Sequence, residues 1–289
     1  MVSQSKNFKK ASCLPKRQLL KWVGNKHKFA EEITSNFPSF NKYIEPFLGS
    51  GAILAALAPD VAVGSDTFEP LMEIWMKLSN DPNGLIAWYA KHRNRIGRET
   101  KEAVYKNALA SYNKRPNGKD FLYLTRAAYG GIVRFRKTDG AMSTPCGAHM
   151  PIPVDGFKAR VDEWAYRTRN VQFECFDYRE AFRLAKRGDL VYCDPPYSHS
   201  QSILYGAQDF SLEELLETVD KAKSRGVKVA LSIDGNKKSG NYICDLPIPK
   251  NLFSQEIMID CGRSMLRRFQ LEGRSLEHEV VNDRLLLTY

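Results

Sequence analysis

The feature that most limits the folds open to this chain is a strand that runs into a glycine loop, then a helix, then a second strand. Tyr43 and Ile44 precede Glu45-Pro46-Phe47-Leu48-Gly49-Ser50-Gly51, an Ala/Leu-rich helix from Ala52 to about Ala58, and the run Val61-Ala62-Val63-Gly64-Ser65-Asp66. This order makes one βαβ unit, with its loop at the carboxyl end of the first strand. Upstream, a Gly24-Asn25 bend leads into a helical pattern ending near Phe37.

The alternation resumes after Val171. Residues 171–176 read as a strand, 178–188 as a helix stopped by Gly188, and 189–194 as a buried strand. Ser211 and Glu214 make a capping box for a helix that Gly226 stops, and 227–233 form the next strand. Two further strands, 255–260 and 284–289, lie too close for a helical crossover of usual length and are expected to be antiparallel. The expected architecture is α/β, a mostly parallel sheet built from 17–69 and 170–289. A mainly helical insertion over 70–169 interrupts it, and 1–16 form a flexible lead-in.

Charge matters most in that insertion. The chain carries a formal net charge of +10. Between Lys91 and Lys137 stand thirteen Lys and Arg against three acids, a difference equal to the net charge of the whole chain. A solvated helix face usually mixes signs, so this concentration favours a polyanionic partner. The six cysteines form no Cys-x-x-Cys pair, and the histidines do not join them at metal-ligand spacing. No metal, a reduced cytoplasmic setting and no membrane association are therefore expected, the start of the chain lacking an apolar signal region.

The most specific chemistry lies in Asp194-Pro195-Pro196-Tyr197, directly after the apolar run Leu190–Cys193. Ligand sites in open α/β sheets lie at the carboxyl ends of strands. Two prolines stiffen the turn and remove two N–H donors, leaving the Asp194 carboxylate and the Pro195 carbonyl as acceptors beside the Tyr197 ring. Two acceptors and a flat ring suit a planar base bearing an amino group. The amine of adenine is a poor nucleophile, and two acceptors gripping its hydrogens localise its lone pair and stabilise the charge that develops on it. A proline-containing strand-to-turn junction is the plainer alternative. In the glycine loop, Gly49 and Gly51 allow close backbone approach to a ligand. The third glycine of the dinucleotide fingerprint is missing, which argues against a nicotinamide enzyme. Asp66, closing the second strand, stands where an acid accepts hydrogen bonds from ribose hydroxyls.

Together these residues resemble the Dam-type DNA N6-adenine methyltransferases, whose signature pairs an F-x-G-x-G loop with D-P-P-Y. Lys21-Trp22-Val23-Gly24-Asn25-Lys26 looks like that family's additional cofactor motif. The order of motifs matches the alpha arrangement, which places target recognition in the insertion. Matching segments cover roughly 18–70, 121–137, 171–199 and 226–289. The resemblance implies a Rossmann-like class I methyltransferase sheet, S-adenosyl-L-methionine as methyl donor, and an adenine flipped out of double-stranded DNA as acceptor. It is compatible with a companion restriction endonuclease, and one protein per target adenine suffices.

By that resemblance Trp22, Gly24 and Lys26 help hold the cofactor, Phe47, Gly49 and Gly51 line it, and Asp66 grips its ribose. Asp177 or Tyr178 sits near its adenine. Asp194, Pro195, Pro196 and Tyr197 are the catalytic set, and Asp194 also borders the cofactor. Tyr129 and Arg134 match positions that contact or intercalate near the target, and Arg136 and Lys137 join them as expected DNA contacts. Arg263 and Ser264 precede a basic stretch, where contact with DNA and a solvated hairpin are equal alternatives. Arg134 and Arg136 have the geometry to read guanine edges, and phosphate contact is an equal alternative. The chain departs from the family at Gly130, where a polar residue often stands, and over Ala141–Gly147, so a GATC target does not carry over. Pro145-Cys146 resembles the nucleophile dipeptide of cytosine-C5 methyltransferases, but its place in the insertion makes Cys146 a loop residue. Readings that keep the fold but act on RNA or on cytosine N4, or that retain only DNA binding, fit an intact loop, Asp66 and D-P-P-Y less well.

Overall fold

Chain direction along the sheet is what positions the site. The computed structural model describes residues 14–22, 24–196, 210–237, 242–243, 248–263 and 280–289, so Tyr197 and Ser264 lie outside the described residues. The first elements are α1 (Ala30–Ser35), β1 (Tyr43–Glu45), α2 (Ala52–Leu57) and β2 (Ala62–Ser65). Five helices follow: α3 (Glu69–Asn80), α4 (Pro82–Arg93), α5 (Lys101–Lys114), α6 (Gly118–Ala127) and α7 (Val154–Arg167). The chain then returns through β3 (Val171–Glu174), α8 (Tyr178–Leu184), β4 (Leu190–Cys193), α9 (Leu212–Ser224) and β5 (Lys228–Asp234). The short pair β6 (Asn236–Lys237) and β7 (Tyr242–Ile243) precedes β8 (Gln255–Arg263) and β9 (Val280–Leu287).

Among the described residues the main sheet has seven strands in the order β3-β2-β1-β4-β5-β9-β8. The first five are parallel, and β9 runs antiparallel to both β5 and β8. This mostly parallel α/β sheet is the architecture expected. The chain steps outward from β1 to β3 and then restarts on the other side with β4. Strands β1 and β4 are therefore neighbours at the switch point, with Tyr43 opposite Leu190 and Ile44 opposite Val191. A crevice opens outside the carboxyl ends of two such strands.

Alternate residues of each strand feed opposite faces of the sheet. Tyr43, Ala62, Leu190, Tyr192 and Leu285 join one core, while Ile44, Val63, Val191, Cys193 and Leu286 join the other. The second core is closed by α8 and α9 through Tyr178, Phe182, Leu215 and Val219. The first is shared with α3–α7, where Trp75 stacks on Phe173 at 5.5 Å and packs against Trp164 at 5.5 Å. The helical segment thus shares one continuous apolar core with the sheet. Its helices begin where polar caps satisfy free N–H groups: Asp81 accepts from Gly84 N at 2.8 Å, Thr100 from Ala103 N, and Asn117 from Asp120 N. Each such cap is worth about 1 kcal/mol.

Three local differences from the sequence reading have physical causes. The helix after Gly24 is only six residues long, because Asn25 Oδ1 accepts from His27 N at 2.7 Å and folds that stretch into a turn. Helix α8 stops at Leu184, before the expected Gly188, as Asp189 Oδ2 takes the N–H of Lys186 at 2.9 Å. Between α6 and α7 the chain doubles back on itself, with Ala128 bridging Cys146 and Phe135 bridging Met142. The reversal is held by Arg136 N donating to Ala141 O at 2.9 Å. Among the described residues no helix is long and apolar enough to cross a membrane, and no group of three His, Cys, Asp or Glu is placed to hold a metal ion.

Candidate active site

The crevice between β1 and β4 opens into a cleft of about 390 Å³. Its lining brings together Trp22, Gly24, Lys26, Phe47, Gly49, Asp66, Asp177, Tyr178, Asp194, Pro195 and Pro196. The glycine loop after β1 and the proline turn after β4 thus face one space. Gly51, at the start of α2, supports the loop from behind rather than lining the cleft.

The loop conformation depends on its glycines. Gly49 has φ +46° and Gly51 φ +61°, left-handed values that side-chain-bearing residues rarely adopt. A Cβ on Gly49 would lie 2.9 Å from the Trp22 indole nitrogen, and one on Gly51 would lie 3.1 Å from the Trp75 ring. Trp75 also fastens the loop from below, donating from Nε1 to Gly49 O at 3.1 Å. Asp66, at the tip of β2, accepts from Gly49 N and from Phe68 N, each at 3.1 Å. Burial outweighs these bonds and pushes the Asp66 carboxyl up to about 6. The residue therefore braces the loop while its carboxylate borders the cleft.

Charge is concentrated on the cleft floor. Lys26 is 6% exposed and donates from Nζ to Asp194 Oδ1 at 2.8 Å, with Asp283 Oδ2 at 3.5 Å and Gly24 O at 3.3 Å. The sequence reading expected Lys26 beside the cofactor; its ammonium is directed onto the Asp194 carboxylate from within the same cleft. Glu45 closes β1 beside this pair, is 3% exposed, and accepts from Tyr43 OH at 2.7 Å. Burial, with the neighbouring Asp194 charge adding to it, raises the Glu45 carboxyl to about 8, so it is largely neutral near pH 7. Behind Asp194, Tyr192 OH and Ser232 Oγ share a buried hydrogen bond of 2.9 Å.

One wall is aromatic. Phe47 stacks on Tyr178 at 5.4 Å, and Phe210 meets Phe47 edge-on at 5.9 Å. The Tyr178 hydroxyl is buried with no hydrogen-bond partner among the described residues. Asp177 caps α8 by accepting from Arg179 N at 2.9 Å. Arg179 lies over the Tyr178 ring and pairs with Asp177 and with Glu214 of α9.

Tyr129, 49% exposed, stands on a 3-10 turn (Tyr129–Gly131) at the base of the chain reversal. Arg134, Arg136 and Lys137 are exposed along its outgoing limb. The Arg136 fork is held by Asp139, with Nε to Oδ1 at 2.9 Å. Arg263 belongs to β8, and its side chain lies outside the description. The basic run is less uniformly free than its count implied. Arg93 donates to Pro151 O and Ile152 O, Arg95 pairs with Glu99, Lys101 donates to Gly147 O and Ala148 O, and Arg126 is buried. Cys146 sits in the reversal and does not line the cleft, and burial raises its thiol.

Glu45, Arg179, Phe210 and Asp283 face or support the cleft, and sequence reasoning assigned them nothing. Glu45 opens the glycine loop and was visible there. Asp283 is an acid within β9, just before its apolar end, but only the placement of β9 beside β5 carries it towards Lys26. Phe210 and Arg179 carry no sequence signal of their own.

The model of a family described as D12 class N6 adenine-specific DNA methyltransferase matches residues 22–259. A DNA adenine methylase of Vibrio cholerae is 25% identical over 232 residues, covering 75% of this chain and 80% of its own. A DNA adenine methylase of Haemophilus influenzae is 28% identical over 251 residues, covering 78% and 82%. The type II methyltransferase M.MjaIII of Methanocaldococcus jannaschii is 27% identical over 243 residues, covering 75% and 83%. Among solved structures, an rRNA methyltransferase, aviRa from Streptomyces viridochromogenes, overlays at 9% identity with a TM-score of 0.37, covering 91% of this chain and 84% of its own. That last likeness is too loose to bear on the site.

Proposed function

The chain belongs to the D12 class of N6 adenine-specific DNA methyltransferases, and from that premise we propose that it moves a methyl group from S-adenosylmethionine to the exocyclic amine of an adenine turned out of duplex DNA. The observation that carries this reading is the shared cleft: Asp194 and Pro195 at the tip of β4 face the same space as Gly49 and Asp66.

The residues present fit such a donor. A cleft of about 390 Å³ lies in the range of small-molecule sites. Asp66 offers carboxylate lone pairs to ribose hydroxyls, and Phe47, Tyr178 and Phe210 offer an apolar wall to a purine ring. The buried Tyr178 hydroxyl with no described partner, and Asp177 beside it, give that wall a polar edge. Trp22 and Gly24 close the side next to the glycine loop. When bound, S-adenosylmethionine supplies an electrophilic methyl carried on a sulfonium.

The protein's share of the chemistry is positioning and charge. Asp194 and the Pro195 carbonyl accept the two amine hydrogens and localise the nitrogen lone pair. Lys26 holds Asp194 Oδ1 at 2.8 Å, which fixes the carboxylate at the tip of β4. As the nitrogen gains positive charge, the Asp194 carboxylate stabilises it and is the first acceptor for the departing proton. Such preorganised groups lower the barrier by on the order of 3–4 kcal/mol each. Tyr197, next in the chain, is assigned the stacking ring. Residues 70–169 are assigned to target recognition, with Tyr129, Arg134, Arg136 and Lys137, together with Arg263 of β8, contacting DNA. The setting we infer is cytoplasmic DNA marking, alone or with a companion restriction endonuclease.

The test is to incubate the purified protein with genomic DNA and S-adenosylmethionine and to map modified bases by sequencing. N6-methyladenine at one recurring site is the expected result. N4-methylcytosine, or methylation of RNA alone, would overturn the assignment.

A further inference from the structure

Beneath the cleft floor lies an acid to which the methyl-transfer chemistry above gives no part. Strand β9 enters the sheet antiparallel to β5 and sets Asp283 opposite Asp234, the last residue of β5. Alternation places Asp283 on the face that Leu285 and Leu287 give to the core shared with the helices. An apolar residue would fill that position at less cost, because a buried carboxylate must be desolvated. Asp283 is 8% exposed, and Lys26 Nζ lies 3.5 Å from its Oδ2 and 2.8 Å from Asp194 Oδ1. One buried ammonium is thus shared between a carboxylate that borders the cleft and a second that stands behind the lining.

That sharing decides how much charge the floor keeps. Lys26 acting on Asp194 alone would cancel the negative charge on which a nitrogen turning positive depends. Glu45 cannot replace it, because burial and the Asp194 charge keep its carboxyl largely neutral near pH 7. The neighbouring Tyr43, Tyr192 and Cys193 are held uncharged by burial. The Asp283 carboxylate changes the balance, setting two carboxylates against one ammonium, so that these groups together keep a net negative charge.

We propose that Asp283 is a positioning residue for methyl transfer: by taking a share of the Lys26 ammonium's field, it lets that lysine fix Asp194 without neutralising it. The role rests on the DNA-adenine-methylating reading given above and extends it to a residue that does not border the cleft. Asp283 acts through Lys26 and touches neither base nor donor.

The test uses the full chain with Asp283→Asn, Asp283→Glu, Lys26→Gln, and Lys26→Gln combined with Asp283→Asn. Thermal melts check each fold, calorimetry reads S-adenosylmethionine affinity, and single-turnover methyl transfer to duplex DNA gives the rate. Asp283→Asn should lower kcat by about tenfold, while KM for DNA and cofactor affinity change by less than about twofold. Asp283→Glu returns the charge and should recover most of the rate. In the Lys26→Gln background the same Asp283→Asn change should alter kcat by less than about twofold. Without the lysine, a buried acid close to Asp194 keeps its proton, and Asn only replaces a neutral group. In the free protein, NMR of carbon-labelled lysine should show Lys26 titrating at lower pH in Asp283→Asn than in the wild type, a carboxylate neighbour having been lost. Wild-type kcat in Asp283→Asn would overturn the role, as would an equal loss in both backgrounds or an unmoved Lys26 titration. Should Asp283→Asn fail to fold, the lysine left buried without its second partner being costly, the double variant removes both charges. Its rate against that of Lys26→Gln then decides, and a further tenfold loss would overturn the proposal. Failure of the methyl-transfer reading looks different, since wild-type protein would then yield no N6-methyladenine at all.

Discussion

At the scale of single residues, the cleft is governed by carboxyl groups whose ionisation is set by burial. Asp66 has a folded pKa near 6, above its ordinary value. Between the ordinary value and 6 the unfolded chain has released this proton and the folded chain has kept it. Folding stability therefore falls as pH rises through that window and is level above it. Ligand binding runs the other way, because an ionised carboxylate is the better acceptor for ribose hydroxyls. S-adenosylmethionine affinity should strengthen as pH rises through about 6, and Asp66→Asn should flatten that profile and weaken binding by about 1–3 kcal/mol. Calorimetry at pH 5, 6 and 7.5 reads both, and a wild-type profile in the variant would show Asp66 to be only a brace for Gly49. Glu45 carries the same sign over a higher window, from its ordinary value to about 8. Glu45→Gln keeps the shape without the ionisation penalty. Its melting temperature should gain on wild type progressively between pH 5 and pH 8, by on the order of 1–3 kcal/mol in stability. A constant offset across that range would contradict the neutral, buried carboxyl.

At the scale of elements, the glycine loop and the proline turn were legible in the sequence because each conformation is dictated locally. Gly49 and Gly51 take left-handed φ values, and Pro195 and Pro196 stiffen the exit from β4. Gly49→Ala tests that reading, since the new methyl needs both a disfavoured backbone and the space held by the Trp22 indole. A loss of about 1–2 kcal/mol in stability is expected from the backbone alone. Cofactor affinity should fall with it, because Trp22 must move; unchanged binding in a titration would mean the indole does not shape the site. What stayed hidden depended on contacts between distant segments. Asn25 turning back on His27 shortened the expected first helix, and the reversal over 128–147 rests on isolated bridges with no strand-like alternation to announce it. The ion pairing of Lys26 with Asp194 joins residues 168 apart in the chain, and only the neighbouring of β1 and β4 brings their segments together.

At the scale of the whole molecule, strand order does the positioning. The outward path β1-β2-β3 and the restart at β4 place two motifs, far apart in sequence, at one switch point, and the helices between β2 and β3 extend the same core beyond the cleft. Strand and helix types were readable from periodicity, yet the antiparallel insertion of β9 between β5 and β8 delivers Asp283 to Lys26, a placement no local pattern encodes. The net charge of +10 also acts at this scale, although several of its cations, Arg93 and Arg126 among them, serve the fold. The measurement that bears most directly on the account is methyl transfer to duplex DNA by Asp194→Ala, with S-adenosylmethionine binding followed in parallel. Transfer should fall by about 10²–10³-fold or more, while the cofactor still binds near its wild-type affinity. Turnover close to wild type in that variant would contradict the role given to the carboxylate at the tip of β4.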